Sequence, residues 1–245
     1  MQTQATDTST PKLIARGDVT ASAADGLALR IGTWFDTQRP RKDALAAPAR
    51  RAPMPPGYQW MDLGVATIRY RIHGTGSRTF VFATDPPIVL EHYDELIASL
   101  TPHGRVIVLE LPGFGFSEAH AGFDFSFPVV LDVLVKFLER VGAEKTTLVF
   151  PCVGAYAGLA VAHARPDLVG TLVLSQAPSF EGALAWKACR DPKGILARPV
   201  VGQLAMHALK KKRAPAWLKM AVPDEVTRAK LQRVTAESFD RGARW

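Results

Sequence analysis

Leu148-Val149-Phe150-Pro151-Cys152-Val153-Gly154 decides how this chain is read. Residues 146–150 form a short, strongly apolar run of the kind that makes a buried strand. Residues 153–164 are mostly Ala, Gly and Val, a composition that lets a helix lie close against a sheet, and Pro166 closes it. A cysteine therefore stands at a sharp turn from buried strand to small-residue helix.

Working outward, the same alternation repeats. Residues 58–63 and 66–72 alternate apolar and polar, which predicts a hairpin at a sheet edge. Residues 79–83 (TFVFA), 105–109 (RVIVL) and 171–175 (TLVLS) are further buried strands, and 91–100 is a helix with Leu96, Ile97 and Leu100 on one side. In 127–141, Val130, Leu134, Phe137, Leu138 and Val141 recur at helical spacing. Buried strands alternating with amphipathic helices predict an α/β fold, a mostly parallel sheet covered by helices on both faces. After Ser175 the strand pattern stops. Residues 183–188, 200–211, 216–221 and 224–239 read as helices, with Asp224 as the N-cap of the last. Three regions follow: a flexible extension over 1–56 (with a short helix near 22–35 and a Pro-rich boundary at 52–57), an α/β core over 57–180, and a helical cap-like segment over 181–245. Such a segment would lie over the sheet's carboxyl edge, where ligands bind in open α/β folds.

The totals narrow the function. With 245 residues, 47% hydrophobic and 22% charged, the chain can bury one sizeable core. No run approaches the ~18 apolar residues of a membrane span. Residues 1–20 lack the apolar stretch of a secretory leader. Cys152 and Cys189 offer neither a disulfide framework nor metal-ligand spacing, so no metal or cofactor is expected and a reduced, cytoplasmic setting is the default. The net charge of +7, concentrated in Arg39, Arg41, Lys42, Arg50, Arg51 and residues 210–213, reads as solvated basic surface rather than a nucleic-acid or membrane interface. Gly113-Phe114-Gly115 follows a strand but lacks the third glycine of a dinucleotide fingerprint.

Three passages in order resemble the α/β-hydrolase superfamily. Val106-Ile107-Val108-Leu109-Glu110-Leu111-Pro112-Gly113-Phe114-Gly115-Phe116-Ser117 is close to that family's strand followed by D-x-P-G-x-G-x-S. The strand, elbow and helix of 148–158 are the second passage, and 165–174 the third. The resemblance covers roughly residues 58–178. It implies that Cys152 occupies the nucleophile position of G-x-S-x-G, with the Val153 N–H as one oxyanion donor. A helix N-terminus would favour the thiolate and lower its pKa. The alternative is a small buried residue that fills the elbow.

Departures from the family pattern are specific. Phe150 replaces the first glycine. The gap-free match places Thr84 and Asp85 on the family's His-Gly and Pro86 on the second oxyanion donor, and proline has no N–H. Asp85, Pro86 and Phe114 are taken to line the binding side of the crevice, with Glu110 at a strand end facing the same crevice but ordering its own turn. The family's acid and histidine follow later strands, and those strands are absent from the pattern, so the fold reads as C-terminally incomplete. His163 lies about 16 Å along the following helix at 1.5 Å per residue, out of reach. His120 and His207 remain as candidate bases. The expected function is hydrolysis of a small, apolar, carbonyl-bearing molecule (ester, lactone or thioester) by Cys152, impaired or absent in this chain. The alternative is a non-catalytic relative that binds a ligand or a protein. A sheet ending at 171–175 would leave an open edge, to be covered by the chain itself or by a second copy in a homodimer.

Overall fold

A computed structural model describes residues 23–44 and 57–241. The expected flexible character of 1–22 and 45–56 lies outside these residues. A helix, α1 (Ala23–Ala44), covers the short helix expected near 22–35 and runs further.

The core is a seven-stranded sheet. The hairpin is β1 (Tyr58–Asp62) and β2 (Ala66–His73), paired antiparallel with Trp60 opposite Arg69. β3 (Thr79–Ala83) leads through a 3-10 turn (Leu90–Tyr93) into α2 (Asp94–Leu100), where the sequence pattern predicts one continuous helix. β4 (Arg105–Leu109), the two-residue β5 (Glu118–Ala119) and α3 (Phe127–Arg140) follow. Then come β6 (Thr146–Pro151), α4 (Gly154–Ala164) and β7 (Val169–Ser175). The order across the sheet is β1-β2-β4-β3-β6-β7, with β5 on β2. β4, β3, β6 and β7 run parallel; β1, β2 and β5 are antiparallel to their neighbours. The result is the mixed, mostly parallel sheet that the strand–helix alternation predicts.

The two-residue period of the strands divides the core into two layers. Val81, Ala83, Ile107, Leu109, Leu148 and Phe150 pack with Leu134, Phe137, Leu138 and Val161 of α3 and α4. Phe82, Val106 and Val108 pack with Ile97, Leu90 and Tyr58 on the opposite face. The departure at Phe150 is absorbed here. Its side chain drops into the first layer, and room comes from Gly158 on α4, where an added Cβ would lie 3.3 Å from Phe150 Cβ and 3.2 Å from Leu172 Cδ1. Gly158→Leu is expected to destabilise the fold by about 1–3 kcal/mol through overpacking, read from urea unfolding.

Beyond Ser175 the described residues hold α5 (Phe180–Arg190), α6 (Val201–Ala221) and α7 (Glu225–Arg241). The two helices expected at 200–211 and 216–221 are one, with Pro215 inside it. Asp224 caps α7 as its sequence position predicts, its carboxylate accepting from the Thr227 N–H at 2.6 Å. Among the described residues no helix is long and apolar enough to cross a membrane. α7 reaches the turn after β3, where Thr235 Oγ1 lies 3.3 Å from His92 Nε2.

Candidate active site

The turn from β6 to α4 puts Cys152 in the left-handed region, φ 53°. A side-chain-bearing residue rarely adopts that conformation without a surrounding structure that enforces it. Here the enforcing contacts are the Cys152 N–H, which donates to the Ser175 carbonyl of β7 at 2.9 Å, and the Cys152 carbonyl, which accepts from Ala155 N–H at 3.1 Å in the first turn of α4. Pro151 and Val153 flank the bend, and Val153 is exposed. Gly154 is not required for space: a Cβ there would meet nothing within 4 Å.

The thiol is half-buried, and its pKa is raised above the ordinary 9.0. Burial is the main cause, the Asp85 carboxylate adds to it, and the Val153 N–H works against it. The expected depression of the Cys152 pKa by the helix end is therefore corrected: desolvation and a neighbouring negative charge outweigh one N–H donor. The Asp85 carboxyl is itself pushed up by burial. Replacing Asp85 by Asn removes the like charge and is expected to speed alkylation of Cys152 by iodoacetamide at pH 8 by a few-fold, with burial still holding the thiol up.

The loop after β3 has its backbone donors already committed. The Thr84 N–H donates to Leu109 O at 2.9 Å, and the Ile88 N–H to Asp85 O at 2.8 Å. The Asp85 N–H faces the Tyr93 hydroxyl, whose own pKa is raised to about 12, chiefly by burial. Pro86 and Pro87 have no N–H. The Val153 N–H thus stands as the donor beside the sulfur.

The other sequence-predicted residues separate. Glu110 does not face the crevice; it is fully buried. It orders its turn as its motif implies, accepting from Phe116 N–H at 2.7 Å, Leu90 N–H at 3.1 Å and Arg69 Nη1 at 3.0 Å. Burial lifts its carboxyl to about 7, against the pull of Arg69 and the two N–H groups. Ser117 completes the motif, its hydroxyl donating to Glu110 O at 2.8 Å while its oxygen accepts from Arg69 N–H at 2.8 Å. Phe114 is half-buried in this loop, two strands across the sheet from β6. His120 is held at β2, with Nδ1 2.9 Å from Gly64 O and Nε2 3.0 Å from Thr67 Oγ1. β2 stands three strand spacings from β6, on the order of 14 Å at about 4.8 Å each. His207 is exposed on α6, and His163 is exposed on α4. The structure brings together Cys152, Val153 and Asp85; it does not bring His120 to the thiol.

The hairpin pattern gives no notice of the buried pair of cations on β2, Arg69 and Arg71. The Arg69 guanidinium lies between the Tyr58 and Phe116 rings, 4.6 and 4.5 Å from their centroids, and pairs with Glu110 and Glu91. Arg71 pairs with Asp94 and also lies over Tyr58. A signal existed in the sequence. Arg69 and Arg71 share one strand face, and Glu91 and Asp94 begin the next helical segment at matching spacing.

The sequence model of the family described as "alpha/beta hydrolase fold" matches residues 55–190. Among curated proteins, a haloalkane dehalogenase of Mycolicibacterium paratuberculosis is 35% identical over 100 residues, which is 37% of this chain and 33% of that protein. An uncharacterised hydrolase of Bacillus subtilis is 27% identical over 42% of this chain and 34% of its own length. The chain thus spans about a third of the length of these curated relatives. Among solved structures, an epoxide hydrolase of Vigna radiata superposes with TM-score 0.60 at 14% identity, over 76% of this chain and 68% of that one. A mutant haloalkane dehalogenase of Agrobacterium tumefaciens superposes with TM-score 0.55 at 17% identity, over 76% and 68%. At such identities these likenesses concern the fold alone.

Proposed function

Because the chain belongs to the α/β-hydrolase fold family, we propose that its elbow is a covalent acceptor site for small, apolar, carbonyl-bearing molecules, with Cys152 as nucleophile and turnover strongly impaired. One observation carries this reading: a non-glycine residue with a nucleophilic side chain is held at φ 53° where a parallel strand turns into a helix. That conformation is costly, and such strain concentrates at functional sites.

The proposed step is acyl transfer. The Cys152 thiol first loses its proton to water or hydroxide. The thiolate then attacks the acyl carbon of an ester, lactone or thioester, and the bond from that carbon to the leaving oxygen or sulfur breaks. The leaving group departs as an alcohol, phenol or thiol with a proton from water. Hydrolysis of the resulting thioester restores the thiol. The Val153 N–H supports the oxyanion. Loss of the second donor at Pro86 removes on the order of 3 kcal/mol of transition-state stabilisation. His120 lies too far away to serve as base. α7, docked on the turn after β3 through Thr235 and His92, acts in this reading as the lid over the ligand.

A second reading has its own support. A raised thiol pKa and a loop with no spare donor suit a relative that binds a ligand without chemistry. An activated aryl ester at pH 8.5, followed by intact mass, separates the two. The acyl-transfer reading expects one acyl group per chain, located on Cys152 and absent in Cys152→Ala, with little release of product afterwards. No adduct, together with saturable ligand-induced stabilisation of the fold, supports the binding module. An alkyl bromide and an epoxide belong in the same panel, given the names of the curated and structural relatives.

A further inference from the structure

We infer that β7 is a self-association edge, at which a second copy of this chain pairs antiparallel about a two-fold axis at Val173. Among the described residues, β7 pairs with β6 on one side only. No residue of the other parallel strands is exposed, whereas Val173 and Leu174 of β7 are 40% and 44% exposed. α5, which follows after a four-residue loop (176–179), has no buried residue, and its Phe180 and Trp186 are 65% and 58% exposed. A helix of this length is marginal by itself in water. Among the described residues, β7 and the helix after it therefore form an apolar margin with no strand on its outer side.

The residues of the edge select the occupant. Exposed strands are ordinarily protected by charge, proline, brevity or a cover. Val169–Ser175 has seven residues, none charged and none proline, in a chain of net charge +7. Self-pairing along it opposes no like charges. The backbone register also closes on itself. The Ser175 carbonyl points to β6, accepting from the Cys152 N–H. Alternation along the strand turns the N–H and C=O groups of Leu172 and Leu174 outward. An axis at Val173 sets Leu172 opposite Leu174 of the second copy, and each copy then gives two donors and two acceptors to the other. The two Val173 side chains meet as a close, non-hydrogen-bonded pair, an arrangement that suits β-branched residues. Leu174 and the exposed Leu159 of α4 extend the contact.

The test uses the full chain by light scattering after size exclusion and by sedimentation velocity, from about 1 to 100 μM. The expected result is a species of twice the 26.6 kDa chain mass. Val173→Lys places two cations against each other at the axis and is expected to yield monomer with an unchanged far-UV spectrum. Val173→Cys provides the positive arm. Opposed Cα atoms in such a pair lie about 4.5 Å apart, within disulfide range. Mild oxidation should cross-link the Val173→Cys chains, while Leu184→Cys and the parent chain, carrying Cys152 and Cys189, should not cross-link to that extent. A monomer throughout the range overturns the inference. So does a dimer, or larger assembly, that Val173→Lys leaves intact, or a Val173→Cys protein that fails to cross-link preferentially.

Discussion

Replacing Arg69 with alanine is expected to lower the unfolding free energy by about 3–5 kcal/mol, the usual effect of removing one partner of a buried ion pair. Glu110 is fully buried and Arg69 nearly so, and the guanidinium fills the space between Tyr58 and Phe116. The loss is therefore of charge compensation and of packing together. Its pH dependence distinguishes the two. Burial already raises the Glu110 carboxyl to about 7, and Arg69 is the main group holding it down. In Arg69→Ala the folded state binds the Glu110 proton still more strongly than the unfolded chain does. Between the unfolded value near 4.5 and the higher folded value, stability falls as pH rises. Urea unfolding should accordingly show a larger deficit at pH 8 than at pH 5.5. Glu110→Gln in the Arg69→Ala background should recover part of it at pH 8, because the uncompensated charge is gone. A deficit independent of pH, with no recovery, would assign the whole effect to lost packing.

The second large effect concerns the thiol. Cys152 labelling by iodoacetamide is expected to rise about tenfold per pH unit from pH 7 to 9, without the neutral plateau of an activated cysteine. The sign follows from the raised pKa: burial and Asp85 both oppose the thiolate, so the neutral thiol dominates at pH 7. Cys152→Ala should remove this signal completely, leaving only the label on exposed Cys189, which peptide mapping resolves. A plateau below pH 7.5 would mean that a base or cation stabilises the sulfur after all, and the impaired-turnover reading would fall with it.

The architecture was open to reading from the sequence because its signals are local. The apolar runs at 79–83, 105–109 and 146–150 are strands, the spacing from Val130 to Val141 is α3, and Asp224 caps α7. The elbow at Cys152 and the turn-ordering role of Glu110 were legible for the same reason, since each depends on residues within a few positions. The chemistry of the site was not. The thiol's pKa is set by burial and by Asp85, 67 positions away in sequence (152 − 85), so a helix-end argument gave the wrong direction. The committed donors of the loop after β3 depend on Leu109 and Tyr93, which only the fold brings there. The contact of Arg69 with Glu110 likewise depends on the register of β2 against β4, which only the fold supplies.

The clasp between Thr235 and His92 joins residues 143 positions apart. The elbow, by contrast, is assembled from β6, α4 and β7, which span 30 residues from Thr146 to Ser175. Contacts that close long stretches of chain carry the greater loop-closure penalty. The bend at Cys152 is thus held by its own neighbourhood in sequence, and loosening the clasp at Thr235 would leave its backbone hydrogen bonds to Ser175 and Ala155 in place.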